Sequence, residues 1–390
     1  MLTVAHLVNP FLFGHGSWIY NQIRFGKNCR HIVFTDRREN AELFPFDAVF
    51  SKGDYSISRL SRLGTHVYNR YFKTDFVWEK MARAENVDII HSHFGTMGVS
   101  KISLSKRLDV SHVVSFYGYD YGGILDSNSE LKDEYHRLFQ TVAGIFVEGP
   151  YARARLTSLG ADPKKVFISH LGTDLGSILM KPRVYENRDA FKILIVAAFI
   201  EKKGILVALR AIADLLKSGA TRITVTLVGD AVPTRGNESA LIKNEILKFI
   251  DMSPLRHAVT LTGTLPYGDV IKLAYSHHLL MQTSIHARDG DCEGGFPVII
   301  TDMMGTGLPV LGSSHCDIPE IIKNNQNGFV AEEGSVEDTT RLLEVIMSNY
   351  NSYSRQWYEY NRKFLIENFD ARICAEQREI LYAKLLPHNH

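Results

Sequence analysis

Short apolar runs recur along this chain, each bounded by turn-forming residues, and this recurrence limits the folds open to it more than any other feature. The runs fall at residues 2–8, 31–34, 87–90, 112–116, 144–147 and 166–169. After a gap they resume at 191–197, 223–228, 259–262, 278–282, 308–311 and 328–330. A strand with one face in water alternates apolar and polar residues, whereas a strand covered on both faces reads as a continuous apolar run. Between most runs lie segments with helical periodicity, such as 205–216, 238–249 and 337–347. Alternating buried strands and amphipathic helices predict an α/β fold with parallel sheets covered on both faces.

The gap between the two series, residues 174–189 (DLGSILMKPRVYENRD), has mixed polarity and no period, and it reads as a linker. The expected organisation is therefore a first Rossmann-like domain over 1–175, a linker at 176–190 and a second such domain over 191–367. An amphipathic terminal helix over 368–390 is expected to pack back on the first domain. The 390 residues suit two such domains, facing each other across a cleft. The 45% hydrophobic and 22% charged content is that of a globular protein. A net charge of +1 provides no field to recruit nucleic acid, so no nucleic-acid partner is expected. Cys29, Cys292, Cys316 and Cys374 are scattered without a CxxC pair, which speaks against a zinc knuckle or a disulfide framework and for reduced thiols in a cytoplasm. The opening MLTVAHLVNPFLFGHG lacks the basic start and cleavage site of a signal peptide; it reads as a buried first strand interrupted by His6, Asn9 and Pro10.

In open α/β sheets, ligands bind beyond the carboxyl ends of the strands, so the residues just after each run are the candidate site. Residues 289–312 read DGDCEGGFPVIITDMMGTGLPVLG. Asp289, Asp291 and Glu293 precede Gly294, Gly295, Phe296 and Pro297. Paired glycines before a helix let the backbone approach an anion, and the free amides at the helix start bind it. Pro297 suits the first helical turn, and Asp302 follows about one and a half turns later, where it can accept from paired sugar hydroxyls. An acidic surface loop with a capped helix accounts for the same residues. In VAAFIEKKG (196–204), Lys203 and Gly204 follow a strand and open a helix, a place for a diphosphate-neutralising lysine or for a solvated one. Gly229, Asp230, Gly263 and Leu265 follow the next strands, and Gly14 and Gly16 form a flexible loop after the first. His91 and His93 stand on alternate positions of IHSHFG, without an evident third ligand, and serve either acceptor contact or packing at the strand end. Tyr117 and Asp120 lie in SFYGYD, after the 112–116 run.

Taken together, these motifs resemble glycosyltransferase family 4, with the similarity running over nearly the whole chain. That family shows a Glu, then Gly-x-Pro, a second Glu and a Gly-[IL]-Pro-Val tail; here the tail is Gly307, Leu308, Pro309 and Val310. His315 to Glu320, and Asn327, Gly328 and Phe329, are also similar to the family. The resemblance implies a GT-B architecture and a metal-independent, retaining hexosyltransferase. Its donor substrate would be a UDP- or GDP-linked sugar, with no separate cofactor and no metal. The acceptor would be a glycan or lipid-linked glycan in polysaccharide assembly. It implies that Glu293 contacts the donor sugar, Asp302 the ribose and Lys203 the diphosphate, with Gly14 and Gly16 closing over the phosphates. Gly229, Asp230, Gly263 and Leu265 would hold the nucleotide, and His91, His93 and Asp120 would lie near the acceptor.

Four departures stand out. One extra glycine separates Glu293 from the second acid, which is Asp302 rather than Glu. Ala198 occupies the place of the family's phosphate-binding Arg, a loss worth on the order of 3 kcal/mol of transition-state stabilisation unless another cation replaces it. Arg288 is the expected substitute, and Arg24 a second. Tyr117 occupies the place of the family's His; with a phenol titrating near ~10 it is no neutral-pH base. That suits a mechanism in which the leaving phosphate oxygen takes the acceptor proton. Ala198 and Tyr117 together equally describe a sugar-nucleotide-binding protein that has lost turnover. Finally, Arg59, Arg62, Arg70 and Lys73 interleave with apolar and aromatic residues over 51–80, as on an ordinary amphipathic helix or on one resting against an anionic bilayer at the inner face of a membrane.

Overall fold

A computed structural model describes residues 1–386 apart from 15, 55–58, 73, 187, 220 and 221. It divides into two compact units: Met1–Gly172 together with the segment from Asp370 on, and Thr173–Phe369. The first unit carries the strands β1 (Leu2–Leu7), β2 (Cys29–Thr35), β3 (Val49–Ser51), β4 (Ile89–His93), β5 (Ser111–Ser115), β6 (Gly144–Val147) and β7 (Val166–Ile168). The second carries β8 (Phe191–Val196), β9 (Ile223–Val228), β10 (Val259–Gly263), β11 (Leu279–Gln282), β12 (Val310–Ser313) and β13 (Phe329–Ala331). The sheet orders are β3-β2-β1-β4-β5-β6-β7 and β10-β9-β8-β11-β12-β13. Every pairing is parallel, with registers such as Ala5 opposite Ile32 and Ile193 opposite Val225. Two Rossmann-like units of this kind make up the GT-B fold.

The apolar runs form strands because both faces are covered. Every residue of β4, β5, β6, β11 and β12 is buried. In β8, Phe191, Ile193 and Ile195 pack with the helices Ile205–Lys217 and Val336–Ser348, while Leu194 packs on the opposite face with Ile300 and Met303 of the helix Ile299–Gly305. That is the period of two expected of a strand between two helical layers. The short edge strand β3 has no counterpart among the expected runs; Val49 and Phe50 are only half covered, and just Ser51 is buried.

Residues 176–190, expected as a linker, are held to the second unit. Ile178 and Tyr185 enter its core. The largely buried Arg183 guanidinium donates to the carbonyl oxygens of Lys181 at 2.6 Å and Ala274 at 3.2 Å, and to Thr306 Oγ1 at 3.2 Å. The terminal helix Ala371–Lys384 starts at Asp370, whose carboxylate caps the Arg372 amide at 2.8 Å. This helix belongs to the first unit, where Tyr382 packs against Val4, Ile89, Val113 and Phe146. Its Arg378 is buried and donates to Ser169 Oγ at 3.0 Å and to the carbonyl oxygens of His170 at 2.9 Å and Gln22 at 3.3 Å.

Ending the chain after Phe369 is expected to lower the stability of the first unit by at least ~3 kcal/mol, the cost of losing one large core aromatic. Urea unfolding followed through Trp18 and Trp78 should show this. A variant keeping only Trp357 should unfold at the wild-type midpoint.

Candidate functional site

In the second unit the strand order reverses between β8 and β11, the topological switch point at which open parallel sheets place their ligands. The loops leaving these two strands meet there. Gly204 has φ of 59°, and a Cβ on it would lie 1.7 Å from the Thr283 carbonyl oxygen, so only glycine lets the loops touch. Thr283 Oγ1 donates to the Gly204 carbonyl at 3.0 Å and fastens them.

Lys203 and Glu293 come together at this junction. Lys203 Nζ donates to Glu293 Oε1 and Oε2 at 2.8 and 2.7 Å, and Ser284 Oγ donates to Oε1 at 2.8 Å. The Glu293 amide donates to His315 Nε2 at 3.1 Å. Burial by itself would raise the Glu293 carboxyl; the Lys203 and Lys202 charges and the bonds from Lys203 and Ser284 outweigh it and hold the group at about 2. The neighbouring loop is braced by a second buried pair. Lys202 Nζ donates to Asp291 Oδ1 at 3.0 Å and to the Cys292 carbonyl at 2.8 Å, while Arg235 reaches Asp291 Oδ2 at 2.8 Å. Lys202, Arg235 and Ser284 were not expected among the site residues. The expected substitute cation, Arg288, pairs instead with Glu201 at 2.6 Å, its side chain 80% exposed. Arg24, the second candidate, lies in the first unit and stacks on Phe25 at 4.2 Å.

The remaining donor-side residues line the same edge. Gly294 takes φ of 79°, and the Gly295 carbonyl accepts from the Asp317 amide at 3.0 Å. Phe296 is buried against Phe369. Pro297 precedes the helix rather than opening it, since Val298 is the N-cap of Ile299–Gly305. Asp302 is buried on that helix. Burial pushes its carboxyl up to about 7, against the bonds from Thr173 and Tyr267; Thr173 Oγ1 donates at 2.9 Å. Gly229 and Gly263 have φ of 133° and 70° at the ends of β9 and β10; Asp230 pairs with Lys243 at 2.6 Å, and Leu265 packs against the second unit's core.

In the first unit the switch point lies between β1 and β4. A cavity of about 240 Å³ opens there, lined by Asn9, His93, Phe94, Thr96, Met97 and Ser100. Behind it runs a buried chain of hydrogen bonds that the sequence reading did not foresee. Tyr117 Oη lies 2.8 Å from His93 Nδ1, His93 Nε2 3.1 Å from His6 Nδ1, His6 Nε2 2.9 Å from His31 Nδ1, and His31 Nε2 3.0 Å from Glu379 Oε1. Glu379 also accepts from the Asn28 and Cys29 amides at 2.9 and 2.8 Å. Burial would raise its carboxyl, yet these donors hold it at about 2. Burial, followed by neighbouring charge, keeps His6 well below the ordinary imidazole value and His93 at about 3. With the carboxylate ionised at one end, each imidazole donates toward it through Nε2, and the Tyr117 hydroxyl donates to His93. His91 and His93 therefore have the third histidine that the sequence did not reveal: His6, whose ligand atom lies within 4.8 Å of theirs.

The other acceptor-side residues are equally enclosed. His91 is buried between Tyr382 Oη at 2.6 Å and Ser115 Oγ at 2.7 Å. Asp120 accepts from the Tyr117 amide at 2.9 Å and faces the Gly95 and Thr96 amides that begin the helix Gly95–Leu108; burial nonetheless raises it to about 7. The Tyr117 ring packs against Trp18 at 4.6 Å and Phe94 at 4.9 Å. Gly14 sits in the turn before Gly16, which is the N-cap of the helix Ser17–Arg24. In the basic and aromatic stretch, Val67 and Tyr71 are exposed one turn apart. The side chains of Arg59, Leu60, Arg62 and Leu63, and all of Lys73, lie outside the described residues. No helix among the described residues is long and apolar enough to cross a membrane.

Residues 180–364 match the family Glycosyl transferases group 1. The amylovoran biosynthesis glycosyltransferase AmsK of Erwinia amylovora is 30% identical over 260 residues, 66% of this chain and 60% of that protein; the matched segment thus spans about three fifths of the relative's length. The putative colanic acid biosynthesis glycosyltransferase WcaL of Escherichia coli is 24% identical over 76% of this chain and 70% of its own. Among solved structures, Anabaena HepE in complex with UDP superposes with a TM-score of 0.76 at 15% identity, covering 98% of this chain and 100% of that one. The fold is thus shared with a protein crystallised with UDP.

Two measurements check this geometry. In carboxyl-detected NMR, Glu293 should titrate near 2, and in Lys203→Met its midpoint should rise, because burial then acts with less opposition. Since the folded value lies below the usual 4.5, the pair's contribution to stability is present above pH 4.5 and fades as pH falls toward 2. Long-range nitrogen NMR of labelled histidines should find His6, His31 and His93 all protonated at Nε2; a proton at Nδ1 of His6 or His93 would mean the chain runs the other way.

Proposed function

We propose that this chain is a retaining, metal-independent hexosyltransferase that moves a sugar from a UDP- or GDP-linked donor to a glycan or lipid-linked acceptor during polysaccharide assembly. The observation that carries the proposal is the Lys203–Glu293–Ser284 cluster at the switch point of the second sheet. A nucleotide-sugar presents an anionic diphosphate joined to a ring rich in hydroxyl donors. The cluster offers a cation for the first and an ionised carboxylate for the second, a few ångströms apart. Gly294 and Gly295, which carry no Cβ, let the diphosphate come close to the main chain of this loop. The match of residues 180–364 to a glycosyl transferase family, and the polysaccharide-assembling relatives, support the same reading.

In this mechanism Lys203 releases one Glu293 oxygen and turns to the diphosphate, where charge builds as the sugar leaves. Glu293 accepts from a sugar hydroxyl and fixes the ring. Lys202 and Arg235, tied to Asp291, keep the loop in place and add positive potential where the family's Arg is missing. The leaving phosphate oxygen takes the acceptor proton, so no side chain needs to titrate near neutrality. Tyr117, its hydroxyl donated inward to His93, contributes the edge of its ring. The enzyme's contribution is then positioning and charge stabilisation. His93 and Asp120 act from beneath the acceptor site by fixing Tyr117 and the start of the helix Gly95–Leu108, and His91, held between Tyr382 and Ser115, supports the strand beneath them. The exposed Val67 and Tyr71 offer a place to rest on a membrane bearing the acceptor.

Release of nucleoside diphosphate from a panel of UDP- and GDP-sugars, in chelator, tests the proposal. Lys203→Ala and Glu293→Ala are expected to lower the rate by about 10²–10³, with circular dichroism unchanged. Binding of a donor with no release under any acceptor would instead identify a sugar-nucleotide-binding protein without turnover. Wild-type rates in both variants would remove the site assignment.

A further inference from the structure

Beside Glu293 lies a cluster that the proposed transfer reaction does not use. His286, exposed, and His315, buried, both turn their Nδ1 toward one carboxylate. His286 Nδ1 lies 2.8 Å from Glu333 Oε1, and His315 Nδ1 lies 3.0 Å from Glu333 Oε2. Glu333 is itself fixed by the His286 amide at 2.6 Å and by its own amide's bond to Ser314 Oγ at 3.0 Å. A carboxylate accepts only, so both imidazoles carry their proton at Nδ1 and their lone pair at Nε2. The two rings stand 4.5 Å apart between centroids. Cys316 Sγ lies 3.2 Å from His315 Nε2, and the ligand atoms of His286, His315 and Cys316 all fall within 4.8 Å of one another. Histidines that bind a metal almost always donate their other ring N–H to a carboxylate, which orients the ring and raises its basicity. Here a single carboxylate does this for two rings at once, beside the Cys316 thiol, which is in no disulfide and hydrogen-bonds with Cys292.

We propose that His286, His315 and Cys316 form a binding site for a zinc-class ion, with Glu333 as the outer carboxylate that orients both imidazoles. Two nitrogens and one sulfur select a soft or borderline ion over magnesium or calcium. The hydrogen bond with Cys292 and burial push the Cys316 thiol up in the metal-free chain, so the ion must draw off its proton, which passes to water; Cys316 then binds as the thiolate and a water completes the tetrahedron. The exposed His286 gives the ion its way in. Binding takes the His315 Nε2 lone pair from the Glu293 amide, so the ion and the Glu293 loop are coupled through one atom. This site does not depend on the transfer reaction and can be tested without it.

The reduced full-length chain, freed of metal by chelator, is titrated with Co²⁺. The expected result is one equivalent giving a thiolate-to-cobalt charge-transfer band, displaced by Zn²⁺ and not by excess Mg²⁺, with a shift of the Glu293 amide resonance. Cys316→Ser should abolish the band. His286→Ala should weaken binding at least tenfold, and Glu333→Gln should do so by about 10–100-fold while keeping the band. Cys29→Ser should leave it intact, which separates this site from the buried Cys29, His31 and Glu379 group. No band in the wild type, a band that survives Cys316→Ser, or full displacement by Mg²⁺ would overturn the proposal.

Discussion

A carboxylate withdrawn from water must find donors to replace the water it lost, and much of this molecule is organised by that requirement. Glu293 meets it with Lys203 and Ser284, Asp291 with Lys202 and Arg235, Glu379 with two backbone amides and His31, and Asp120 with the Tyr117 amide. Removing one partner of such a pair strands the other at a cost of about 3–5 kcal/mol. Loops that would otherwise wander are thereby held to one geometry. The same bonds fix protons: at Glu379 they set the direction of a chain of three imidazoles, and at Glu333 they set two more.

The two sheets differ in what they present at their carboxyl edges. The second unit gathers paired charges around its switch point, and opposite charges held a few ångströms apart can re-pair with an ionic ligand at little desolvation cost. The first unit gathers neutral imidazoles, hydroxyls and aromatic rings around its own, with Tyr117 between Trp18 and Phe94. Neutral donors and flat rings suit a neutral polyol better than an anion. The division of labour proposed for the chain, with the anionic donor on one edge and the saccharide acceptor on the other, follows this difference in chemistry.

The central strands were legible in the sequence because burial on both faces leaves a nearly unbroken apolar run, as in β6 and, apart from Lys192, in β8. The edge strand β3 was not, because three residues, two of them half covered, carry no period. Residues 176–190 read as a loose connection because their order comes from Arg183 donating to the distant Ala274 carbonyl and from the Tyr185 backbone pairing with the Asn351 side chain, which no local pattern encodes. Lys203 and Glu293 were legible as a motif. Their neighbours Ser284 and Glu333 were not, and His315 showed only as part of a family-like stretch without a role, since each arrives from a different loop. The histidine chain joins positions as far apart as His31 and Glu379. Its one local sign was His6 inside an otherwise apolar strand: a buried imidazole must be hydrogen-bonded, and that need alone announces a polar partner across the sheet.

The return of the helix Ala371–Lys384 to the first unit sets an order of events during synthesis. Residues 173–369 form the second unit without interruption, so it has all its parts before the first unit has its last helix. At translation rates of 5–20 residues per second, the first seven strands wait roughly 10–40 s for their covering helix. Throughout that interval His31, Cys29 and the apolar face around Val113 and Phe146 stand open on the ribosome, a surface for chaperones to shield while the second unit is already closing.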